Sequence, residues 1–448
     1  MRRVGTILLL LLAALPATRA DAAPARGYVV SGYGWGHGVG MSQYGAQGFA
    51  LHGWKARRIL AHYYPGTRLA RFPPRRIRVL LQENRNAVGI SSRSSFLVRD
   101  ARGWRLRLRA GRWRVGLDLR VRRHNLRAPL RFVPGRSPLV LGGRGYRGDL
   151  VVHFESDGLA VVNALPLERY LRGVVPWEMP WYWERAALRA QAVAARSYAL
   201  AVGRQGLIYD VVSTTADQVY GGIEAEHPST NRAIGATTGL VVTWKGEPAL
   251  TYYSSTSGGR TEASADAFPR VGALPYLLSV PDPYDSISPH HRWGPLRFKP
   301  RTLAERLGVP KVDRLALHRN GSGRVATLTV AWGSGRRTFS GGEVEQLLRL
   351  PSTWFAVRAL GGKVSDTGAP VLREHGYLAV LATLQAGSSP SRTLERVRAR
   401  VPGARAVDSS AYPALRPGFV VICAGPYAKP SAATEVAARV QGAYVRRV

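Results

Sequence analysis

The hydrophobic period of the chain changes near its middle, and this change restricts the fold more than any other feature. From Arg76 to Val162, short runs alternate apolar with polar residues: Ile77-Arg78-Val79-Leu80-Leu81, Trp104-Arg105-Leu106-Arg107-Leu108-Arg109 and Leu150-Val151-Val152-His153-Phe154, separated by Gly, Pro and Asn. A period of two marks half-buried strands. From Glu184 to Val202 the spacing is helical, with Leu188, Ala192, Ala195, Ala199 and Val202 on one face of an alanine-rich segment. Its small side chains let a helix lie close against its neighbours. Thr243 to Ser255 and Val325 to Trp332 again read as strands, and Leu303 to Leu307 and Gly342 to Arg349 as short helices. The expected class is α+β, a β-rich core with a few helices.

The beginning of the chain speaks to its compartment. Met1-Arg2-Arg3 is basic, Val4 to Leu15 is apolar, and Ala20-Asp21-Ala22 offers small residues for cleavage, the layout of a signal peptide over residues 1–22. The apolar run falls short of the ~20 residues that span a bilayer. No later segment is apolar enough to cross, so no transmembrane segment is expected after cleavage. Cys423 is the only cysteine. An exported protein with one thiol has no internal disulfide and depends on packing. Within the apolar run Phe419 to Cys423, that thiol reads as buried and inert.

A formal net charge of +36, carried almost wholly by arginine, predicts anionic surroundings. Nucleic acid and the carboxylates and phosphates of a bacterial cell wall are the two candidates. Export favours the wall. No zinc-finger, leucine-zipper or RNP signature accompanies the charge, so no nucleic-acid partner is expected.

Gly361 to Gly376 is rich in Gly, Ser, Asp and Pro and reads as a linker (361–376). Beyond it, residues 377–448 repeat one unit: strand Tyr377 to Leu384, helix Ser391 to Arg400, strand Ala404 to Val407, then strand Phe419 to Ala424, helix Ser431 to Gln441 and strand Ala443 to Arg447. The order βαββαβ suggests a ferredoxin-like sheet. With Leu415-Arg416-Pro417-Gly418-Phe419-Val420-Val421 and Gly425-Pro426-Tyr427, this region resembles the SPOR domain, which implies binding to peptidoglycan glycan strands stripped of stem peptides.

Residues 32–40 pose a separate question, because Gly32, Gly34, Gly36, Gly38 and Gly40 alternate with Tyr33, Trp35, His37 and Val39. An extended chain would place every glycine on one side, leaving bare backbone for close approach. The third glycine of a dinucleotide fingerprint is missing.

Several longer motifs answer together. Leu165-Pro166-Leu167-Glu168-Arg169-Tyr170-Leu171-Arg172-Gly173-Val174-Val175-Pro176-Trp177-Glu178-Met179-Pro180 leads into Ala190-Gln191-Ala192-Val193-Ala194-Ala195-Arg196-Ser197-Tyr198; Asp217 to Gly222 and Tyr252-Tyr253-Ser254-Ser255-Thr256-Ser257-Gly258-Gly259 follow. With Gly36-His37-Gly38-Val39-Gly40-Met41-Ser42-Gln43 and Ile59 to Thr67, the chain closely resembles the SpoIID/LytB family over residues 28–360. In that family the Gly-His-Gly motif normally comes last; here it comes first, and Ser352 to Val357 looks like the strand that ordinarily runs into it. This order reads as a circular permutation, with residues 28–69 completing a core formed by 76–162 and 163–360. His37 and Gln43 are then expected beside Glu178, with the glycine backbone letting a polysaccharide lie close.

The resemblance implies a lytic transglycosylase acting on peptidoglycan glycan strands, with Glu178 as general acid and then base. Its apolar frame, Pro176, Trp177, Met179 and Pro180, should raise the carboxyl pKa. One carboxyl group suffices if the sugar's own 6-hydroxyl closes an anhydro ring. A hydrolase would need a second carboxylate, for which Glu184, Asp210 and Asp217 are candidates. Arg196 is expected to hold substrate or an oxyanion, with an ion pair on the helix surface as the alternative. Tyr253, Ser254, Ser257 and Gly258 are expected to line the sugar groove, with a plain turn role open for Ser257. Gln218 and Tyr220 serve the groove or pack a strand. His37, His62, His290 and His291 lack metal-site spacing, and no metal or cofactor is expected. No G-x-S-x-G surrounds Ser254 or Ser257. A second reading makes the chain a non-catalytic wall-binding protein that positions or stimulates a cell-wall amidase.

Overall fold

The computed structural model describes residues 25–204, 206–361, 364–368, 377–385, 390–402, 404–408, 415, 419–427 and 429–447. The signal-peptide reading of residues 1–22 therefore lies outside the described residues. The fold is α+β, as the change of period implies, and no helix among the described residues is long and apolar enough to cross a membrane.

The alternating region builds two sheets. One has seven strands, in the order 211–212, 76–85, 158–166, 149–155, 130–133, 96–99 and 105–108; the other has four, in the order 144–146, 139–141, 87–92 and 111–116. Gly158–Pro166 is buried on both faces. Leu159, Val161 and Leu165 enter the main core, whereas Ala160 and Val162 are covered by Ile208, Tyr209 and Val212. This double burial explains why its sequence is apolar on both faces but for Asn163, while its neighbours alternate.

That strand runs directly into the helix Leu167–Glu178, which buries Leu167, Tyr170, Leu171, Val174 and Val175. The spacing is the i, i+3, i+4, i+7 stripe of an amphipathic helix. Met179 is extended and Pro180 follows, which ends the helix at Glu178. The alanine-rich helix Arg185–Val202 packs beside it and is buried nearly all round. Ala192, Ala195 and Ala199 face the sheet core, and Ala187, Leu188, Val193 and Ala194 face a second core formed with helices Gln43–Leu51 and Ala56–Tyr63. Arg196 crosses between the two helices. Its Nε and one terminal nitrogen each donate to Glu168 at 2.8 Å, and its other nitrogen donates to the carbonyls of Ala192 and Leu240. Arg196 is thus a buried helix-to-helix clamp, and its donors are spent inside the protein.

The first segment is woven through the rest of the chain. Gly27–Tyr33 is the middle strand of a three-stranded sheet, antiparallel to both Arg292–Phe298 and Phe355–Leu360, with Gly27 opposite Leu360. Met41–Ser42 pairs with Tyr253–Ser254, and Arg68–Arg71 pairs with Leu240–Trp244. The expected strand Thr243 to Ser255 is broken into Leu240–Trp244, which turns back to pair with Glu247–Pro248, and the separate Tyr253–Ser254. The alternating glycines do not form a flat strand. Gly34, Gly36, Gly38 and Gly40 all have positive φ, and the protein's own atoms fill the space beside them. A Cβ on Gly34 would meet the carbonyl oxygens of Thr256 and Ser257, and one on Gly40 would sit 2.0 Å from the Tyr252 oxygen. The glycine faces are closed by internal packing, so the expected open backbone for a polysaccharide is not there.

Val364–Gly368, inside the stretch read as a linker, is a strand parallel to Arg314–Arg319, fixed by the buried Arg319 paired with Asp366. Residues 369–376 lie outside the described residues. Beyond them, strands Tyr377–Gln385, Arg405–Asp408, Phe419–Tyr427 and Tyr444–Arg447 form an antiparallel sheet in the order 405–408, 419–427, 377–385, 444–447. Helices Ser391–Arg398 and Pro430–Ala437 supply the βαββαβ order, and Cys423 is fully buried. Arg416, Pro417 and Gly418 of the SPOR-like motif lie outside the described residues.

Two stability measurements check this packing. Arg196→Met should lower the free energy of unfolding in urea by about 3 kcal/mol, because it removes both bonds to the Glu168 carboxylate and the bond to the Leu240 carbonyl. Gly40→Ala should cost more than about 3 kcal/mol, since strain at positive φ adds to the clash, whereas Gly53→Ala, at φ 80° with nothing within 4 Å, should cost about 1 kcal/mol.

Candidate functional site

Glu178 ends its helix at the wall of a cavity of about 680 Å³, which is also lined by Trp35, His37, Asp217, Tyr252, Tyr253 and Ser254. Six separate stretches of sequence meet there. Gln43, the first residue of its helix, is placed by Ser42, whose Oγ accepts the Gly45 amide at 3.1 Å and so caps the helix. From that position Gln43 Nε2 donates to Glu178 Oε2 at 3.1 Å. The Val219 amide and the Tyr253 hydroxyl also donate to the carboxyl group. Burial pushes the Glu178 pKa up to about 7, against the pull of these three donors.

Tyr253 is held in its role by a chain of hydrogen bonds. Tyr170 donates to Gln218 Oε1 at 3.1 Å, and Gln218 Nε2 donates to the Tyr253 hydroxyl oxygen at 2.8 Å and to the Ala195 carbonyl at 3.2 Å. With its oxygen accepting from Gln218, Tyr253 directs its own proton to Glu178. Gln218 therefore supports the pocket from behind without lining it. His37 lines the wall against Phe268, with ring centroids 5.2 Å apart. Its Nδ1 accepts the Val39 amide at 3.0 Å, and its ring also bonds the Tyr253 backbone. Burial and the Arg324 charge hold the His37 pKa down to about 4, so near neutral pH the ring is an uncharged brace.

Ser254 presents an unpaired polar group: its Oγ is buried in the pocket wall and has no hydrogen-bond partner among the described residues. The other groove expectations go elsewhere. Ser257 is fully buried and donates to Asp282 Oδ2 at 2.8 Å, and the Gly258 amide donates to Asp285 Oδ2 at 2.9 Å. Asp285 also accepts from Ser42 Oγ at 2.7 Å and contacts His291 Nδ1 at 2.9 Å. Ser257 and Gly258 thus tie the serine-glycine loop to the Met41–Ser42 strand beneath the pocket. Tyr220 bonds Asn163 Oδ1 at 2.9 Å and packs on Tyr170, so it belongs to the sheet core. Arg196, in its clamp with Glu168, is not among the lining residues.

Of the three candidates for a second carboxylate, only Asp217 lines the cavity. It accepts from Arg204 at 2.8 and 3.0 Å, from the Tyr198 hydroxyl at 3.0 Å and from the Val212 amide at 2.7 Å. Those bonds occupy the lone pairs that a base would use. Asp210 is held by Arg78, and Glu184 begins the alanine-rich helix. Sequence reasoning passed over Trp35 and Tyr252, which line the pocket within stretches already singled out. It also passed over the Val219 amide, since a backbone donor leaves no trace in residue identity.

Residues 155–244 match the stage II sporulation protein (SpoIID) family. The match covers Glu178 and Asp217, and lies apart in sequence from Gln43 and Tyr253. Stage II sporulation protein D of Bacillus subtilis is 29% identical over 231 residues, which are 46% of this chain and 64% of that protein. The amidase enhancer of B. subtilis is 42% identical over 115 residues, 26% of this chain and 15% of that protein. An uncharacterized protein of Brachyspira hyodysenteriae is 40% identical over 143 residues, 31% of this chain and 38% of that one. In each case the matched stretch spans less than two thirds of the relative. The helix that ends in Glu178 and the alanine-rich helix beside it both fall inside the match, so residues 155–244 carry a SpoIID-family domain.

Proposed function

We infer that this chain is an exported, wall-associated lytic transglycosylase that cleaves peptidoglycan glycan strands, with Glu178 as its acid and base. One observation carries the reading. Glu178 is a carboxyl group with a pKa near 7 that opens into a cavity large enough for sugar rings, and the other carboxylate in the lining is tied down by four hydrogen bonds. A poised acid with no free partner suits a reaction that needs one carboxyl group.

Protonated Glu178 gives its proton to the bridging glycosidic oxygen as the bond from the anomeric carbon to that oxygen breaks. The resulting carboxylate then takes the proton of the 6-hydroxyl on the same sugar. That oxygen bonds to the anomeric carbon, closing an anhydro ring, and Glu178 recovers the proton it gave. No water is consumed. Gln43, the Val219 amide and Tyr253 stabilise the carboxylate midway, and Ser254 offers its hydroxyl to the sugar. The βαββαβ region at residues 377–448 is assigned to glycan binding as a SPOR-like domain, and residues 28–69 to a permuted part of the core, a reading favoured by the pairing of Tyr28 with Ala359.

The similarity to a protein named amidase enhancer favours a second reading, in which the chain positions a wall amidase and its cavity only binds glycan. Glu178→Gln separates the two, since the amide keeps the shape and loses the proton. Cleavage of purified glycan, followed by mass spectrometry of anhydro-ended products, should fall by about 10²–10⁴; undiminished cleavage would transfer the chemistry elsewhere.

The pH profile gives a further check. The acid form of Glu178 is lost as pH rises through about 7, so kcat/KM should decline above that point. The Tyr253 hydrogen bond favours the carboxylate and lowers this pKa. Tyr253→Phe should therefore move the alkaline limb to higher pH, and a limb that stays in place or moves down would disconnect Tyr253 from the acid.

A further inference from the structure

Trp35 is half-exposed in the wall of the Glu178 cavity, an unusual place to leave a large apolar side chain in water. Its backbone is fixed on both sides. The Trp35 amide donates to the Thr256 carbonyl at 2.9 Å, and the Thr256 amide donates to the Trp35 carbonyl at 3.2 Å. Gly34 and Gly36, at φ 78° and 93°, turn the chain before and after it. The indole lies 4.4 Å from the His290 ring, between centroids, at an interplanar angle of 48°. His290 is itself placed by its backbone amide, which donates to Ser288 Oγ at 3.1 Å. One side of the indole is therefore backed by protein, and 47% of the residue remains exposed.

We propose that Trp35 is the sugar-stacking platform of the cavity: its free indole face receives the apolar face of a pyranose ring beside the bond that Glu178 acts on. This rests on the glycan reading of the site. A pyranose presents axial C–H groups on one face and hydroxyls at its rim, so it needs a flat apolar partner flanked by polar groups. Trp35 supplies the flat surface, and Ser254 Oγ in the same wall supplies an unengaged hydroxyl. A platform fixed before binding loses little side-chain entropy when the sugar arrives. A wall anion or a peptide carboxylate gains nothing from this face, because the ring quadrupole repels negative charge.

Trp181 provides a matched control. It is 50% exposed and stacks on His227 at 4.3 Å and 23°, yet it does not line the cavity. Binding of a β-1,4-linked N-acetylglucosamine tetramer would be measured by calorimetry on the full chain carrying Glu178→Gln, so that no substrate is consumed. Adding Trp35→Ala should weaken binding roughly tenfold, whereas Trp35→Phe should stay within about threefold. Adding Trp181→Ala should leave the affinity unchanged. Thermal melting of each protein separates loss of a contact from loss of the fold, and the phenylalanine variant keeps the comparison informative if the alanine variant does not fold. Unchanged affinity in Trp35→Ala, or an equal loss in Trp181→Ala, overturns the proposal. A parent that does not bind the tetramer overturns it together with the glycan reading. Glu178→Gln that cleaves like the wild type sinks the catalytic assignment alone, and a tenfold loss in Trp35→Ala would still stand.

Discussion

The alanine-rich helix is the element from which the site takes its dimensions. Because Ala187, Ala192, Ala194, Ala195 and Ala199 project so little, two cores close on opposite sides of one helix. The Glu178 helix comes against it from one direction and the Gln43 helix from another. Gln43 and Glu178, 135 residues apart in sequence, thereby come within hydrogen-bond distance. A larger side chain on either face would push one helix outward and open that contact. The clamp of Arg196 on Glu168 sets the same spacing by polar means.

Around Glu178 the structure holds two opposing influences in balance. Burial disfavours the charged carboxylate, while Gln43, Val219 and Tyr253 favour it, and the outcome is an acid near 7. Each donor comes from a different part of the chain, and two are themselves oriented by neighbours: Gln43 by the Ser42 cap and Tyr253 by Gln218. The poise of the acid is therefore a property of the assembled fold.

Periodicity made much of this fold legible in sequence. The alternating strands, the alanine-rich helix and the C-terminal βαββαβ order all lie where hydrophobic spacing places them. Apolar flanks marked Glu178 as a desolvated acid, and motif resemblance brought His37 and Gln43 to it. The helix Leu167–Glu178 was harder to read, because Pro176 and Pro180 obscure its end while its buried stripe is plain only once its partner is known. Arg196, Ser257, Gly258 and Tyr220 sit in the same motifs as true lining residues. Whether such a residue faces a cavity or a neighbouring helix depends on rotation about an element, which spacing along the chain does not reveal. The glycine run misled for a related reason: close approach was required, but by Thr256, Ser257, Tyr252 and Arg324 of the same chain.

The place of Gly27–Tyr33 between Arg292–Phe298 and Phe355–Leu360 bears on the order in which the molecule takes shape. Ribosomes deliver this strand before either of its neighbours, which emerge hundreds of residues later. Its pairing is among the most non-local in the chain, and such contacts close only after the loop entropy between them has been met. Trp35, His37 and Gln43 follow directly on that strand. A nascent or truncated chain that stops before Arg292 can hold Glu178 on its helix but lacks both edges on which the strand is seated. Completion of the cavity is thereby tied to the arrival of Arg292–Phe298 and Phe355–Leu360, and a polypeptide that lacks them carries the acid without the strand that leads into the wall around it.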